Sequence, residues 1–327
     1  MHLRGNARWP NAADVGTELA FIERLRRFAT HPAARGLCDD VAVLDIAGTR
    51  LVITHDSLIE GVHFLASDPP ESVAWKLLAV NLSDLAAKGA APSGAIMAYT
   101  LRGDESWDAA FADGLGTALA HFGVPLLGGD TVSAPTRMLG LTLFGEAHGA
   151  VPQRSGAHAG DGLFVTGTVG DAGVGLMLCS GDDPSLAPSR EHAAYLRAAY
   201  QYPQPQSAAG AILAPVVTAM MDVSDGLLID ASRMAAASGL CADIDLDAVP
   251  LSPALRAVAG DDRAARIAAA TAGDDCQLLF TSALPLPTLP VPVTRIGRMA
   301  RGKGLLLRDR DGNVPLPHSL GWLHGLP

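Results

Sequence analysis

Val80-Asn81-Leu82-Ser83-Asp84-Leu85-Ala86-Ala87-Lys88-Gly89-Ala90 carries two signals in one stretch. Its Ala and Leu residues recur at helical spacing and extend a helix predicted over 71–88, which Gly89 closes as a C-cap. On that helix Asn81, Asp84 and Lys88 share a face, at i, i+3 and i+7. Two readings are open: the wet side of a surface helix, or polar groups aimed into a site.

Working outward toward the N-terminus, residues 50–55 and 41–46 read as strands joined by an Ala47-Gly48-Thr49 hairpin, and Leu19, Ile22, Leu25 and Phe28 space a helix over 18–29. Toward the C-terminus come a strand over 93–101, a helix over 105–122, and a short buried strand over 124–127 that ends in Gly128-Gly129-Asp130. A long strand over 137–148 follows. Residues 151–160 are polar and Gly-rich, as a connection between domains would be. A second series then alternates strands (162–166, 219–223, 241–246, 277–281, 291–298, 305–308 and 313–316) with helices near 171–180, 189–201, 206–219 and 227–238, and two more short helices precede the 277–281 strand. The expected fold class is α/β (α+β) in two domains, 1–150 and 151–327.

Composition agrees with that division, since 327 residues exceed what one hydrophobic core fills. With 49% apolar residues, 35 Gly and 22 Pro, the chain reads as a tightly turned enzyme rather than a coiled coil or a disordered chain. A net charge of −10 excludes non-specific nucleic-acid binding, which needs fields of Lys and Arg. The four cysteines form no C-x-x-C pair, so neither structural zinc nor a disulfide framework is expected. The start, 1–10, is polar and lacks a signal-peptide core, and no apolar run reaches the ~20 residues of a membrane span. A soluble, cytoplasmic protein is the expectation.

The aspartates cluster where side chains can converge. Asp39-Asp40 opens the 41–46 strand, Asp56 follows Leu51-Val52-Ile53-Thr54, Asp130 follows a glycine pair, and Asp222 and Asp225 flank a turn into a helix. Each alone is an ordinary turn or cap residue. Gathered in one cleft with Asp84, six carboxylates would repel one another and raise each other's pKa. Divalent ions with a taste for oxygen, Mg²⁺ above all, remove that penalty and supply the positive charge this acidic chain lacks for handling phosphates. Two Gly-rich turns are candidate anion cradles: 167–175, and the helix start after Ser224-Asp225-Gly226. Gly297-x4-Gly302-Lys303 is one residue short of a Walker A loop, but Gly304 stands where Ser or Thr should be and a strand follows, so it is read as a decoy.

In order, Asp39-Asp40-Val-Ala-Val-Leu, Thr54-His55-Asp56-Ser57-Leu-Ile-Glu-Gly61-Val-His63-Phe64, Val80-Asn81-Leu-Ser83-Asp84, Gly128-Gly129-Asp130-Thr131, Arg154-Ser155-Gly156, Asp222-Val-Ser224-Asp225-Gly226 and Gly273-Asp274-Asp275 resemble the thiamine-monophosphate kinase family. Its superfamily includes aminoimidazole ribonucleotide synthetase and selenophosphate synthetase. The resemblance runs from about Gly16 to Trp322. It implies an N-terminal domain that pairs with its twin in a homodimer, and a C-terminal α/β domain. It implies ATP-dependent, in-line phosphorylation of thiamine monophosphate to thiamine diphosphate with several Mg²⁺ ions and no assigned acid or base. The implied metal set is Asp40, Asp56, Asp84, Asp130, Asp222 and Asp225, with Thr54 and His55 beside it. ATP would meet Gly129, Asp130, Arg154 and Ser224. His63, Asp274 and Trp322 would line the thiamine-phosphate pocket, where a Trp suits the cationic thiazolium.

This chain departs from the family pattern at several places. Cys38 precedes the Asp pair in place of a Gly or another small residue, His55 replaces a Thr, Asp274-Asp275-Cys276 stands for Glu-Asp-Tyr, and Gln206 stands where Arg is usual. Two alternatives are kept. One is another ATP-dependent enzyme of the superfamily, similar to aminoimidazole ribonucleotide synthetase. The other is a non-catalytic nucleotide-binding regulatory dimer.

Overall fold

Two sheets are built from two successive stretches of chain in a computed structural model that describes residues 15–184 and 186–323. The polar start read at 1–10 lies outside the described residues. The first stretch runs α1 (Val15–Arg26), a 3-10 turn (Pro32–Leu37), β1 (Ala42–Ile46), β2 (Thr49–Ile59), α2 (Pro70–Ala86), β3 (Ala91–Leu101), α3 (Glu105–Phe122), β4 (Leu126–Ser133) and β5 (Met138–Ala147). Its five-stranded sheet has the order β1-β2-β5-β3-β4, antiparallel except for β3 with β4. The second runs β6 (Gly162–Thr166), α4 (Asp171–Ser180), α5 (Arg190–Gln201), α6 (Ser207–Leu213), β7 (Ala219–Val223), α7 (Leu227–Ser238), β8 (Cys241–Asp245), α8 (Pro253–Ala259), α9 (Arg263–Thr271), β9 (Gln277–Ser282), β10 (Val293–Ala300), β11 (Gly304–Asp309) and β12 (Gly312–Val314). These strands form a seven-stranded sheet, β12-β11-β8-β10-β6-β9-β7.

α2 is the pivot. Pro70 pre-sets its first turn, and Leu77, Leu78 and Leu82 pack on Leu139, Leu141 and Leu143 of β5. Burying each such Leu is worth roughly 1.5–3 kcal/mol. Its other side meets the second sheet's layer, where Ala86 and Ala87 join Ala209, Leu213, Met220 and Phe280 in one apolar cluster. The approach there is close. A Cβ on Gly210 of α6 would stand 1.9 Å from the Ala86 carbonyl oxygen, so only glycine fits. With both sides covered, the polar face of α2 is not a wet one. Asn81 and Lys88 are fully buried and Asp84 nearly so.

Two expectations are corrected. The strand expected at 124–127 as short and buried is an eight-residue edge strand, exposed throughout, that contains Gly128-Gly129-Asp130 rather than ending at it. The helix expected over 206–219 stops at Leu213, because Pro215 follows and lacks the N–H a helix needs. The Walker-like segment runs from the end of β10 through the turn to β11, both of which pair with β8, and no helix follows it. Among the described residues no helix is long and apolar enough to cross a membrane.

Candidate active site

Five aspartates line a cavity of about 140 Å³, Asp40, Asp56, Asp84, Asp222 and Asp274, together with Val80, Ser224 and Cys276. Asp40 comes from the turn before β1, Asp56 from β2, Asp84 from α2 and Asp222 from the end of β7. Carboxylate oxygens of Asp40, Asp84 and Asp222 all lie within 4.8 Å of one another. Hard oxygens at that spacing from three separate segments suit a small divalent cation.

Electrostatics say the same. Burial, and after it the neighbouring Asp40 charge, pushes Asp222 up to about 8, against a hydrogen bond from Ser83 Oγ (2.7 Å). Burial and the charges of Asp40, Asp225 and Asp274 bring Asp56 to about 6. Asp84, buried beside Asp56 and Asp222, is raised well above the carboxylate range although the Thr54 hydroxyl donates to it. Only Asp40 goes the other way. Burial would raise it, but Arg154 and Lys88 beside it hold it at about 2. A cation set among these oxygens would remove the mutual repulsion.

Of the side chains that hold this cluster, Lys88, Asn81 and Arg154 were singled out in the sequence, without these partners, and Arg35 was not. Lys88, without solvent access, donates to Asp39 Oδ1 (2.6 Å), Asp40 Oδ2 (3.4 Å) and the Met220 carbonyl (3.3 Å), tying three segments together. Asn81 Oδ1 accepts from the Asp56 N–H (3.2 Å) and so fixes β2 against α2. Arg35 bonds Asp39 (2.5 Å) and the carbonyls of Val151 and Pro152, clamping the turn before β1 to the connecting segment. Arg154 pairs with Asp40, and its buried Nε has no hydrogen-bond partner among the described residues. That leaves a donor for an anion.

Both Gly-rich turns read as anion cradles are already filled by the protein's own carboxylates. The N–H groups of Ser224, Asp225 and Gly226 all donate to Asp230 Oδ2, each at 3.2 Å, and Arg233 bonds Asp230 Oδ1 (3.0 Å). Burial, and then Asp225, raises Asp230 to about 7. At the other turn the N–H groups of Gly170 (2.7 Å) and Ala172 (3.4 Å) donate to Asp275. Sequence reasoning missed Asp230, although a carboxylate four residues into a helix from a Gly start is a signal for such a filled turn.

The remaining candidates separate into three groups. Asp225 sits at the rim, its carboxylate paired with Arg233. Trp322 is beside it, its backbone N–H donating to the Asp225 carbonyl (2.8 Å). His63 and Asp274 meet at Lys76, which donates to the His63 carbonyl (3.0 Å) and to Asp274 Oδ2 (2.7 Å). Three are not brought in. The His55 side chain is a correction: it is exposed and bonds Thr142 Oγ1 (2.9 Å) and Ser57 Oγ (3.3 Å), because alternate residues of β2 face opposite sides and Thr54 and Asp56 take the α2 side. Gly129 and Asp130 are exposed on β4, three strands from β2 in the row of Asp56 and Ser57, about 14 Å across at ordinary strand spacing. Within one chain Asp130 is therefore outside the cluster.

The family of AIR synthase related proteins matches this sequence twice, by its N-terminal domain over residues 38–151 and its C-terminal domain over 158–273. The chain is 38% identical to a thiamine-monophosphate kinase of Caulobacter vibrioides over 96% of its own length and 92% of that protein's. It is also 38% identical to one of Salmonella typhimurium, over 88% and 90%. The solved structure of AaThiL complexed with AMPPCP and TMP superposes with a TM-score of 0.84 at 30% identity, covering 93% of this chain and 96% of that one. The chain belongs to the AIR synthase related family and, within it, to the thiamine-monophosphate kinases.

Proposed function

We propose that this protein transfers the γ-phosphoryl group of ATP to thiamine monophosphate, giving thiamine diphosphate and ADP, in the cytoplasm. The observation that carries the reading is the meeting of Asp40, Asp84 and Asp222, from segments far apart in sequence, in one buried cavity. The relatives' names and the ATP analogue and TMP bound to AaThiL supply the substrates. We read residues up to 150 as the ATP- and Mg²⁺-binding domain and 151–327 as the second domain.

Asp40, Asp56, Asp84 and Asp222 would hold Mg²⁺, with Asp225 at the rim and the Thr54 hydroxyl orienting Asp84. When bound, Mg²⁺ supplies positive charge to the phosphate oxygens as negative charge spreads over them. Arg154 anchors Asp40 and offers its remaining donor to a nucleotide phosphate. Ser224 lines the same cavity and contacts ATP in this reading. Opposite, His63, Asp274 and Trp322 receive the acceptor. The acceptor phosphate is already largely ionised at neutral pH, so no side chain needs to remove a proton, and alignment and electrostatics carry the rate.

Asp130 enters through a second copy. β4 is a free edge, and β2 is paired with β1 only as far as Ile53, leaving 54–59 open on that side. Around β4, Ile96, Leu126, Leu127 and Val132 are exposed. A homodimer that lays β4 of one copy along the open edge of β2 in the other covers these side chains and brings Gly129 and Asp130 beside the neighbouring Asp56. The test of the activity is direct: purified protein with ATP, Mg²⁺ and thiamine monophosphate should form thiamine diphosphate, and chelation should stop it. Nucleotide binding without turnover would favour a regulatory dimer instead.

A further inference from the structure

Lys76 lies on α2, one turn before the polar face that holds the metal cluster, and the residue is only 2% exposed. A buried ammonium needs a reason. This one meets three segments: the Asp274 carboxylate at 2.7 Å, the His63 carbonyl at 3.0 Å, and the face of the Tyr200 ring, whose centroid is 4.2 Å away. With three donors, two hydrogen-bonded and the charge lying over a ring, it is fully engaged. Tyr200 in turn donates to Asp68 (2.7 Å), which also accepts from the Leu65 N–H (2.8 Å), so the loop carrying His63 is held from both ends.

Asp274 needs such a restraint. It is a non-glycine residue in the left-handed region, φ 68°, and its carboxylate is partly exposed toward the cavity that contains the metal cluster. Its charge already reaches Asp56. Left unpaired, it would be one more hard oxygen beside four others, open to capture by a divalent ion.

We infer that Lys76 is a positioning residue for the acceptor pocket: it reserves Asp274 for the acceptor by holding the carboxylate next to His63 and away from the metal cluster. The inference rests on the reading that Asp274 lines the acceptor pocket, and it adds the residue that makes Asp274 serve there. No bond is made or broken by Lys76, so its removal should act on acceptor recognition rather than on transfer.

The experiment is steady-state kinetics on three variants, with KM measured separately for thiamine monophosphate and for ATP, alongside thermal melts. Lys76→Met should raise the acceptor KM about tenfold or more, the scale of a charge-assisted hydrogen bond, with much smaller changes in kcat and in the ATP KM. Lys76→Arg should recover part of the loss. Asp274→Asn should also raise the acceptor KM, and adding Lys76→Met to it should cost little more. If Lys76→Met does not fold, Lys76→Gln is read in its place. An acceptor KM unchanged in the folded Lys76 variant, while Asp274→Asn raises it, overturns the role of Lys76 alone. An unchanged Asp274→Asn removes the carboxylate from the pocket and overturns both. Equal losses in kcat and both KM values would mark Lys76 as merely structural.

Discussion

Lys88 and Asp222 show how single residues here trade stability against function. Lys88 is a buried cation between Asp39, Asp40 and the Met220 carbonyl. Lys88→Met takes one of two cations from each carboxylate, leaving Arg35 on Asp39 and Arg154 on Asp40, and we expect a loss of about 1.5–3 kcal/mol in urea unfolding. Asp222→Asn should do the reverse. It keeps the acceptor for Ser83 Oγ but removes a carboxylate whose burial raises its pKa to about 8. The metal-free variant should melt higher than the parent at pH 8 while turnover falls by about two orders of magnitude or more. A variant that loses both stability and activity would contradict this. The aspartates of the cluster were legible because each sits in a recognisable local pattern, next to a glycine, a turn or a strand end. Asp230 carried a local signal that was passed over, whereas Lys76 and Arg233 were not legible. Lys76 and Arg233 are common residues on predicted helices, and only the packing of a second layer shows that they are inward-facing.

At the scale of elements, α2 decides how the two sheets meet. Ala86 and Gly210 bring α2 and α6 into backbone contact, and a Cβ on Gly210 would overlap the Ala86 carbonyl oxygen. Gly210→Ala should therefore force the helices apart and cost about 1–3 kcal/mol by thermal or urea melting, with activity falling because Asp84 on α2 and Asp222 on β7 separate. The strand and helix order was readable from periodicity and from Gly and Pro punctuation, and α3 was placed at its observed ends. What misled was β4. A Val-Pro-Leu-Leu run before two glycines reads as a buried strand, whereas Val124 alone is buried and Leu126 and Leu127 are exposed on an edge. Burial on an edge depends on a neighbour that a single chain does not contain.

For the whole molecule, the proposed shared site makes a complementation prediction. Asp130→Asn and Asp84→Asn, each nearly inactive alone, should regain about a quarter of the parent activity when mixed and re-associated, because half the dimers then hold one intact site. No recovery would place Asp130 outside the partner's site. The pH dependence of stability follows from the cluster as well. Asp56, Asp84 and Asp222 have folded-state pKa values above their ordinary value of 3.8, so the folded chain retains protons the unfolded chain has lost. Their contribution to the metal-free protein is thus greatest below pH 3.8 and declines as pH rises toward 8, while Asp40, held at about 2, contributes above 3.8 and is lost as pH falls toward 2. Added Mg²⁺ competes with those protons, so the rise in Tm that it produces should grow steadily from about pH 5 to pH 8. A metal effect independent of pH would argue that the ions bind elsewhere.

The most direct measurement is the anomalous scattering of Mn²⁺ in crystals grown with a non-hydrolysable ATP analogue. Peaks bounded by the carboxylates of Asp40, Asp56, Asp84 and Asp222 are the predicted result. Nucleotide bound with Mn²⁺ only at other positions, and none among these four, would contradict the account.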